Sequence, residues 1–180
     1  MAGREISAIK IKKLRYGAVL TAAPTSATLA ALFKAATEVK NAHQDTFAYE
    51  ETAPTTTPYK NQLTGQVYRT DVEPGDVKMK FTVGSYDLAT KAELQGGVAT
   101  DKDWKRGSSK TPIYKSMFGV TEDDVLIVFP KATVVASGTD ADKAIGLGVV
   151  AMPNEISSAI GSEYWFDVQG VDLEAAVQQG

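Results

Sequence analysis

The stretch that decides the fold is QVYRTDVEPGDVKMKFTV, residues 66–83. Two runs of alternating apolar and polar residues, 66–72 and 77–83, flank the tetrapeptide at 73–76, Glu-Pro-Gly-Asp. A central Pro-Gly pair favours a β-turn, so the pattern predicts a β-hairpin. The second run has an apolar and a polar face, formed by Val77, Met79, Phe81 and Val83 against Lys78, Lys80 and Thr82. We expect the apolar face to pack on the core and the polar face to meet water or a lumen.

The sequence before this hairpin predicts a strand, a short helix and a second strand. Residues 6–20 have an extended pattern whose apolar phase changes near Lys12 and Lys13, which predicts a β-bulge there. Pro-Thr-Ser at 24–26 is typical of a helix start. The apolar residues that follow are spaced as on one face of a helix: Leu29, Leu32, Phe33 and Ala36. Residues 46–51 alternate again and predict a strand.

The segment between that strand and the hairpin, about residues 52–63, begins with a run of threonine and proline. Each proline lacks the backbone N–H that a central strand needs. The segment is therefore predicted to be an extended loop or arm that contains Pro54, Pro58 and Tyr59.

The sequence after the hairpin predicts a second helix and then mostly strands. Ser85 is suited to cap a helix whose first turn contains Asp87 and whose end is marked by Gly96 and Gly97. The strand-like stretches that follow are 112–118, 125–129, 133–136, 144–152 and 163–168. The whole chain, 1–180, is thus predicted to be one mostly-β domain, an antiparallel β-sandwich or barrel with one or two short flanking α-helices.

The amino-acid composition and net charge exclude or disfavour several classes of function. The chain has no cysteine and one histidine, His43, which excludes disulfides and thiolate chemistry and leaves transition metals without their usual ligands. A net charge of −3 disfavours binding to nucleic-acid phosphates. The most apolar stretch, 144–153, is about half the roughly 20 residues that span a bilayer, so no membrane anchor is expected. The basic start, 4–15, predicts a strand and not a signal peptide, because lysines alternate with isoleucines there.

Motifs that would indicate catalysis or cofactor binding are weak. No G-x-S-x-G elbow accompanies His43, so a serine triad is not expected. Residues 146–151 match a dinucleotide-binding fingerprint, but the charged stretch before them and Pro153 after them do not suit the strand and helix that this motif requires. Acidic clusters at 71–76, 122–124 and 140–142 lack calcium-loop spacing and suit turns. The sequence therefore predicts a protein that is not an enzyme, with no catalytic residue, cofactor or metal site.

Aromatic residues leave a second function class open. Tyr59, Tyr68, Trp104 and Tyr114 could form the recognition surface of a carbohydrate- or protein-binding β-sandwich module. Trp165 is expected in the sheet core or at an interface. A binding module would stay monomeric, whereas a structural subunit would form rings or filaments.

Residues 71–97, DVEPGDVKMKFTVGSYDLATKAELQGG, resemble the tail tube proteins of tailed phages. The resemblance lies in a long hairpin with an alternating second arm, followed by a helix of the YDLATKAEL kind that ends at Gly-Gly. It covers strongly about a sixth of the chain, and more weakly residues 125–136. The tubes of secretion systems and contractile injection systems share the same plan.

The resemblance implies a structural virion protein, made in the host bacterial cytoplasm and located in the virion tail. Six copies would close into a ring around a continuous β-barrel, and rings would stack into a tube through which DNA passes without specific binding. Its partners would be copies of itself and other tail proteins. In such a tube Lys78, Lys80 and Thr82 would face the lumen. The arm with Pro54, Pro58 and Tyr59 would reach a neighbouring subunit or ring.

Overall fold

The structure, a computed structural model, describes residues 4–6, 8, 10–108, 111–141 and 143–174. It confirms a mostly-β antiparallel fold with two short helices, at 48% strand and 9% helix. The elements, in chain order, are β1 Ile11–Gly17, α1 Leu29–Ala35, β2 Thr37–Glu38, β3 Ala48–Glu51, β4 Thr55–Lys60, β5 Val67–Glu73, β6 Val77–Val83, α2 Leu88–Gln95, β7 Val98–Ala99, β8 Trp104–Lys105, β9 Ile113–Thr121, β10 Val125–Ala141, β11 Ala144–Pro153 and β12 Tyr164–Asp167.

Eight strands form one large antiparallel sheet in the order β2-β1-β9-β10-β11-β6-β3, with β12 paired to the start of β10. The two stretches predicted at 125–129 and 133–136 belong to the single long strand β10. Its pairing with β9 is irregular between Phe129 and Ala132, a stretch that contains Pro130, which has no N–H to give to a ladder. In the described part of the chain the sheet does not close into a barrel.

The segment between β2 and β3 connects the two ends of this sheet. The Val39 N–H donates to the Leu14 carbonyl of β1 at 2.9 Å, and the His43 N–H donates to the Thr82 carbonyl of β6 at 2.7 Å. The curved sheet encloses the larger core cluster, whose buried members include Met79 and Phe81. Both were predicted to face the core, and this is confirmed.

A second core cluster lies on the opposite face of β9 and of the first half of β10. It is covered by α1 and by residues 168–173. Phe33 of α1 is fully buried and meets the Phe118 ring edge-on, with centroids 6.2 Å apart. Leu29 is the other buried residue within α1, whereas Leu32, predicted to face the core, is only partly buried. Because β9 and β10 are buried on both faces here, their sequences are continuously apolar.

Local signals at strand and helix ends are confirmed in two cases and wrong in one. The register of β1 shifts between Ile11 and Lys13, where a bulge was predicted. Helix α2 ends at Gly96, which has a φ of +83°. Its N-cap, however, is Asp87 and not Ser85: the Asp87 carboxylate accepts the N–H of Thr90 at 2.7 Å, and this hydrogen bond lowers the pKa of Asp87.

The predicted hairpin with a turn at 73–76 is wrong. Strands β5 and β6 do not pair with each other: β5 pairs with β4 in a separate two-stranded sheet, and β6 pairs with β3 and β11. Residues 52–63 were predicted to be an extended loop or arm, and within them residues 55–60 form the exposed strand β4. The two sides of the actual hairpin are 48–60 and 67–83, and its turn lies at 61–66.

One register runs along this long hairpin as far as Tyr59, and it shifts between Tyr59 and Lys60 near the tip. Glu51 faces Val77 in the part near the core, and Thr55 faces Glu73 in the part beyond it. This register places Pro54 opposite Pro74, and the ladder is interrupted here because neither proline has an N–H. The interruption separates an inner part, β3 with β6, from an outer part, residues 55–73, which we call the outer ribbon.

Candidate interaction surfaces

The outer ribbon is a two-stranded projection with no part in the core. Every residue of β4 is exposed, and in β5 only Asp71 is partly buried. None of the ribbon residues, all of which the structure describes, belongs to either core cluster. Six strand residues extend for about 20 Å. A two-stranded hairpin is at best marginally stable in water, so a second surface would stabilise the ribbon.

Polar and aromatic contacts organise one face of the ribbon. Tyr59 and Arg69 are cross-strand partners, and the Arg69 guanidinium lies 5.7 Å from the centre of the Tyr59 ring. The Arg69 Nε also donates to the Asp71 carboxylate at 2.8 Å. Tyr68 and Val72 of β5 are exposed apolar side chains on the other face, because successive residues of a strand point to opposite faces. Exposed apolar groups on a projecting element are typical of a contact surface.

The tip of the ribbon presents a leucine. The Asn61 N–H donates to the Gln66 carbonyl, the Gly65 N–H donates to the Asn61 carbonyl, and the Asn61 Oδ1 accepts the Leu63 N–H, each at 2.8 Å. Gly65 has a φ of +71°, which favours glycine. This ordered turn holds the Leu63 side chain in solvent at 94% exposure. Sequence analysis missed Leu63, although Asn61 and Gly65 are turn residues that could have indicated it.

The residues predicted for an inter-subunit arm all lie on or beside the ribbon. Pro54 is at the interruption of the ladder, and Pro58 and Tyr59 are in β4. All three are exposed. Their contact with another subunit stays a prediction, now for a paired ribbon instead of a loop.

A four-stranded part of the large sheet has an open edge on each side. Pairing of β10 with β9 ends at Val134, so residues 135–141 have β11 on one side and no strand of the described chain on the other. At the opposite end of the unit β10-β11-β6-β3, β3 is the last strand of the sheet. Open edges expose unpaired N–H and C=O groups that can pair with another chain.

The three residues predicted to face a lumen have different surroundings. Lys78 and Lys80 are partly buried, and the Lys80 ammonium lies 2.6 Å from the Glu50 carboxylate of β3. Thr82 is only 9% exposed, so its placement on an open face is wrong for this chain. The loop before β3 approaches it, and the Thr46 hydroxyl accepts the Thr82 N–H at 3.0 Å.

The residues examined for catalysis or nucleotide binding take part in the sheet and its connections. His43 is partly buried, and its Nδ1 lies 3.1 Å from the Gln44 carbonyl oxygen. Gly148 lies within β11 opposite Thr82, so the fingerprint at 146–151 forms a strand and not a strand-to-helix turn. Its phosphate-binding geometry requires a helix N-terminus, and the described part of this segment is extended instead.

The acidic residues of these clusters form hydrogen bonds and ion pairs with other residues of the chain, some of them distant in sequence. The Asp123 carboxylate accepts the Ala8 N–H at 2.8 Å, and Asp124 pairs with Lys12. Asp71 binds Arg69, while Asp142 lies outside the described residues. Within the described ranges, no group of three or more His, Cys, Asp or Glu residues is arranged to hold a metal ion.

The four aromatic residues of the binding-module hypothesis lie on different elements. Tyr59 and Tyr68 belong to the outer ribbon, Trp104 to β8 and Tyr114 to β9. The Trp104 indole donates to the Gly96 carbonyl at 2.9 Å and is partly buried. Two of the four are thus on the projection, and the other two are on β8 and β9.

Trp165 lies at the surface of the sheet beside a tyrosine. It is 43% exposed, and its ring meets Tyr49 edge-on at 5.4 Å. The Tyr49 hydroxyl donates to the Glu163 carboxylate at 2.9 Å, and the Trp165 indole donates to the same carboxylate. Burial, together with this hydrogen bond, raises the pKa of Tyr49. The cluster joins β3 to β12 and so fixes the edge strand.

None of the described helices is long and apolar enough to span a membrane. No protein-family model matches the sequence, and no curated protein is significantly similar to it.

Proposed function

We propose that this chain is a structural subunit that assembles with copies of itself into stacked rings, forming a tube of the tailed-phage type through which DNA passes. The observation that carries the proposal is the four-stranded unit with an open edge on each side. If β3 of one copy pairs with residues 135–141 of the next, one contact repeated around a ring uses both open edges of this four-stranded unit. A head-to-tail contact of this kind closes into a ring when its rotation permits.

The sheet face opposite the larger core is the face that would line the bore. It includes Lys78 and Lys80 of β6, along with small and neutral residues of β11 such as Gly148 and Val150. The Lys80 charge is balanced by Glu50. A bore with little net positive charge does not retain DNA phosphates, which suits passage without specific binding. The outer ribbon then serves contacts between neighbouring subunits or rings, and other tail proteins bind the ends of the tube.

The backbone of β3 provides a direct test of edge pairing. Along an antiparallel strand, the backbone N–H groups point alternately toward the paired strand and away from it. The Thr52 N–H points toward the partner strand, since it donates to the Asp76 carbonyl at 2.9 Å. The Glu51 N–H therefore points to the open edge, and Glu51→Pro removes this donor without removing an N–H from the β3–β6 ladder.

We expect the wild-type chain and the control Glu51→Ala to form rings or tubes in negative-stain electron microscopy. Glu51→Pro should give a folded monomer by circular dichroism and sedimentation. Tubes formed by Glu51→Pro would contradict edge pairing through β3. A wild-type chain that stays monomeric at high concentration, with other tail components added, would refute the tube and favour the binding module.

A further inference from the structure

A groove beside α1 has the features of a receptor for an apolar side chain. It has a volume of about 320 Å³ and lies between residues 17–22, α1 and β9. Leu20, Leu32, Ala35 and Phe118 are among its lining residues. None of the described residues that line it is charged. The lining is therefore mostly apolar and electrically neutral.

The wall of this groove contains a buried hydroxyl without a partner. Ser116 is 1% exposed, and its Oγ has no hydrogen bond within the described part of the chain. A Cβ at Gly17 would lie 3.2 Å from this Oγ, so the glycine leaves space beside the hydroxyl. Buried hydroxyls normally have hydrogen-bond partners, and this one has none within the described chain.

We propose that the groove receives Leu63 from the ribbon tip of a second copy, and this inference rests on the proposed assembly. Leu63 is the most exposed large apolar side chain among the described residues, at 94%. The ribbon extends the tip away from its own subunit, so the occupant comes from another copy. Burial of Leu63 against the groove removes apolar surface of both copies from water.

The polar groups around Leu63 match the groove as well. The tip, residues 61–66, has the sequence NQLTGQ and no charged residue, which suits a lining without charge. Amide and hydroxyl groups at Gln62 and Thr64 flank the leucine. The Ser116 Oγ has almost no accessible surface in the single chain, so one of these groups would bond to it only after the groove widens on docking. An apolar anchor next to one hydrogen bond is a typical arrangement at the centre of an interface.

The absence of cysteine allows a direct cross-linking test. Leu63→Cys and Ala35→Cys are made as separate single variants, mixed in equal amounts under assembly conditions and oxidised. Ala35 is exposed on α1 and lines the groove. The matched control is Ala31→Cys, exposed on the same helix but outside the groove lining. We expect disulfide-linked dimers at about ten times the control level, because docking raises the local thiol concentration.

Two further variants separate the groove contact from assembly as a whole. Ala35→Phe fills the groove, and Ser116→Ala removes the unpartnered hydroxyl. Both should shorten the tubes, while Ser116→Ala should leave the melting temperature of the isolated chain unchanged or raised. Tubes without the Leu63–Ala35 cross-link would overturn this inference alone. Absence of both tubes and cross-links would overturn it together with the proposed function, and cross-linked dimers without tubes would support the groove contact and reject the tube.

Discussion

Removal of the outer ribbon should leave a folded subunit that no longer assembles. The register places Ala53 opposite Gly75, so residues 54–74 can be replaced by Asn-Gly, a pair that closes a two-residue hairpin turn. Gly75 is kept, because a Cβ there would lie 1.6 Å from the Thr52 carbonyl oxygen. Deletion of 53–58 alone is a poorer design, since it would leave β5 without its partner strand.

The structure gives the expected change in the free energy of unfolding when the ribbon is removed. Ribbon residues contribute to neither core cluster, so their removal takes almost no buried apolar area from the subunit. A shorter connection lowers the entropy cost of loop closure by about 0.6 kcal/mol for each halving of its length. Replacing the 21 residues 54–74 with two is between three and four halvings, so we expect the free energy of unfolding to rise by no more than about 2 kcal/mol. Phe81→Ala, which removes a buried ring, should lose about 3–5 kcal/mol and shows that the measurement is sensitive.

Urea unfolding followed by circular dichroism measures this free energy, and negative-stain electron microscopy measures assembly. A loss above about 3 kcal/mol in the ribbonless chain, a value typical of a buried side chain, would refute the view that the ribbon lies outside the core. Long tubes from the ribbonless chain would show that the ribbon is dispensable for assembly.

Three other predictions concern the subunit itself. Phe33→Ala should lower the free energy of unfolding by about 3–5 kcal/mol in urea titrations, because the ring is fully buried in the second core cluster. Asp87→Ala should cost about 0.5–2 kcal/mol by loss of the helix cap, while Ser85→Ala should cost almost nothing in the same assay; the reverse order would restore Ser85 as the cap. A hydrogen bond from Arg4 lowers the pKa of Asp167 below 3.8, so the stabilisation from this pair is present at neutral pH and is lost as pH falls through the folded-state pKa. NMR titration should detect this lowered pKa, and Arg4→Gln should raise it toward its ordinary value, while the hydrogen bond from the Gln169 N–H remains.

Much of the local structure was predictable because the residues that specify it lie within a few positions of one another in the sequence. The alternation of β6 placed Met79 and Phe81 on the core side, and the change of phase in β1 indicated its bulge. Gly96 marked the end of α2 because it adopts a positive φ that other residues avoid. The helix cap was misassigned by two residues, since serine and aspartate are both good caps and only the geometry selects Asp87.

The candidate surfaces were only partly predictable. The Thr/Pro composition located an arm at about 52–63, but the sequence did not indicate that this arm pairs with β5. Pro58 is tolerated because a two-stranded ribbon consists of edges, where the missing N–H can face solvent. The groove that contains Ser116 could not be predicted, since it is formed by three segments that are distant in sequence.

By itself, the sequence determined the fold class, the core face of β6 and the position of both helices, because these depend on hydrophobic period and on residues with restricted backbones. Only the tertiary structure decided which strands pair. Pro74-Gly75 is a good turn locally, yet Met79 and Phe81 are buried when β6 lies between β3 and β11. The continuous register then takes β5 outward beside β4. A local turn preference contributes less free energy than the burial of large side chains. Pairing of β6 with strands that are distant in sequence is therefore favoured. The same holds for Thr82, whose strand period predicts a polar face but whose burial depends on the loop before β3.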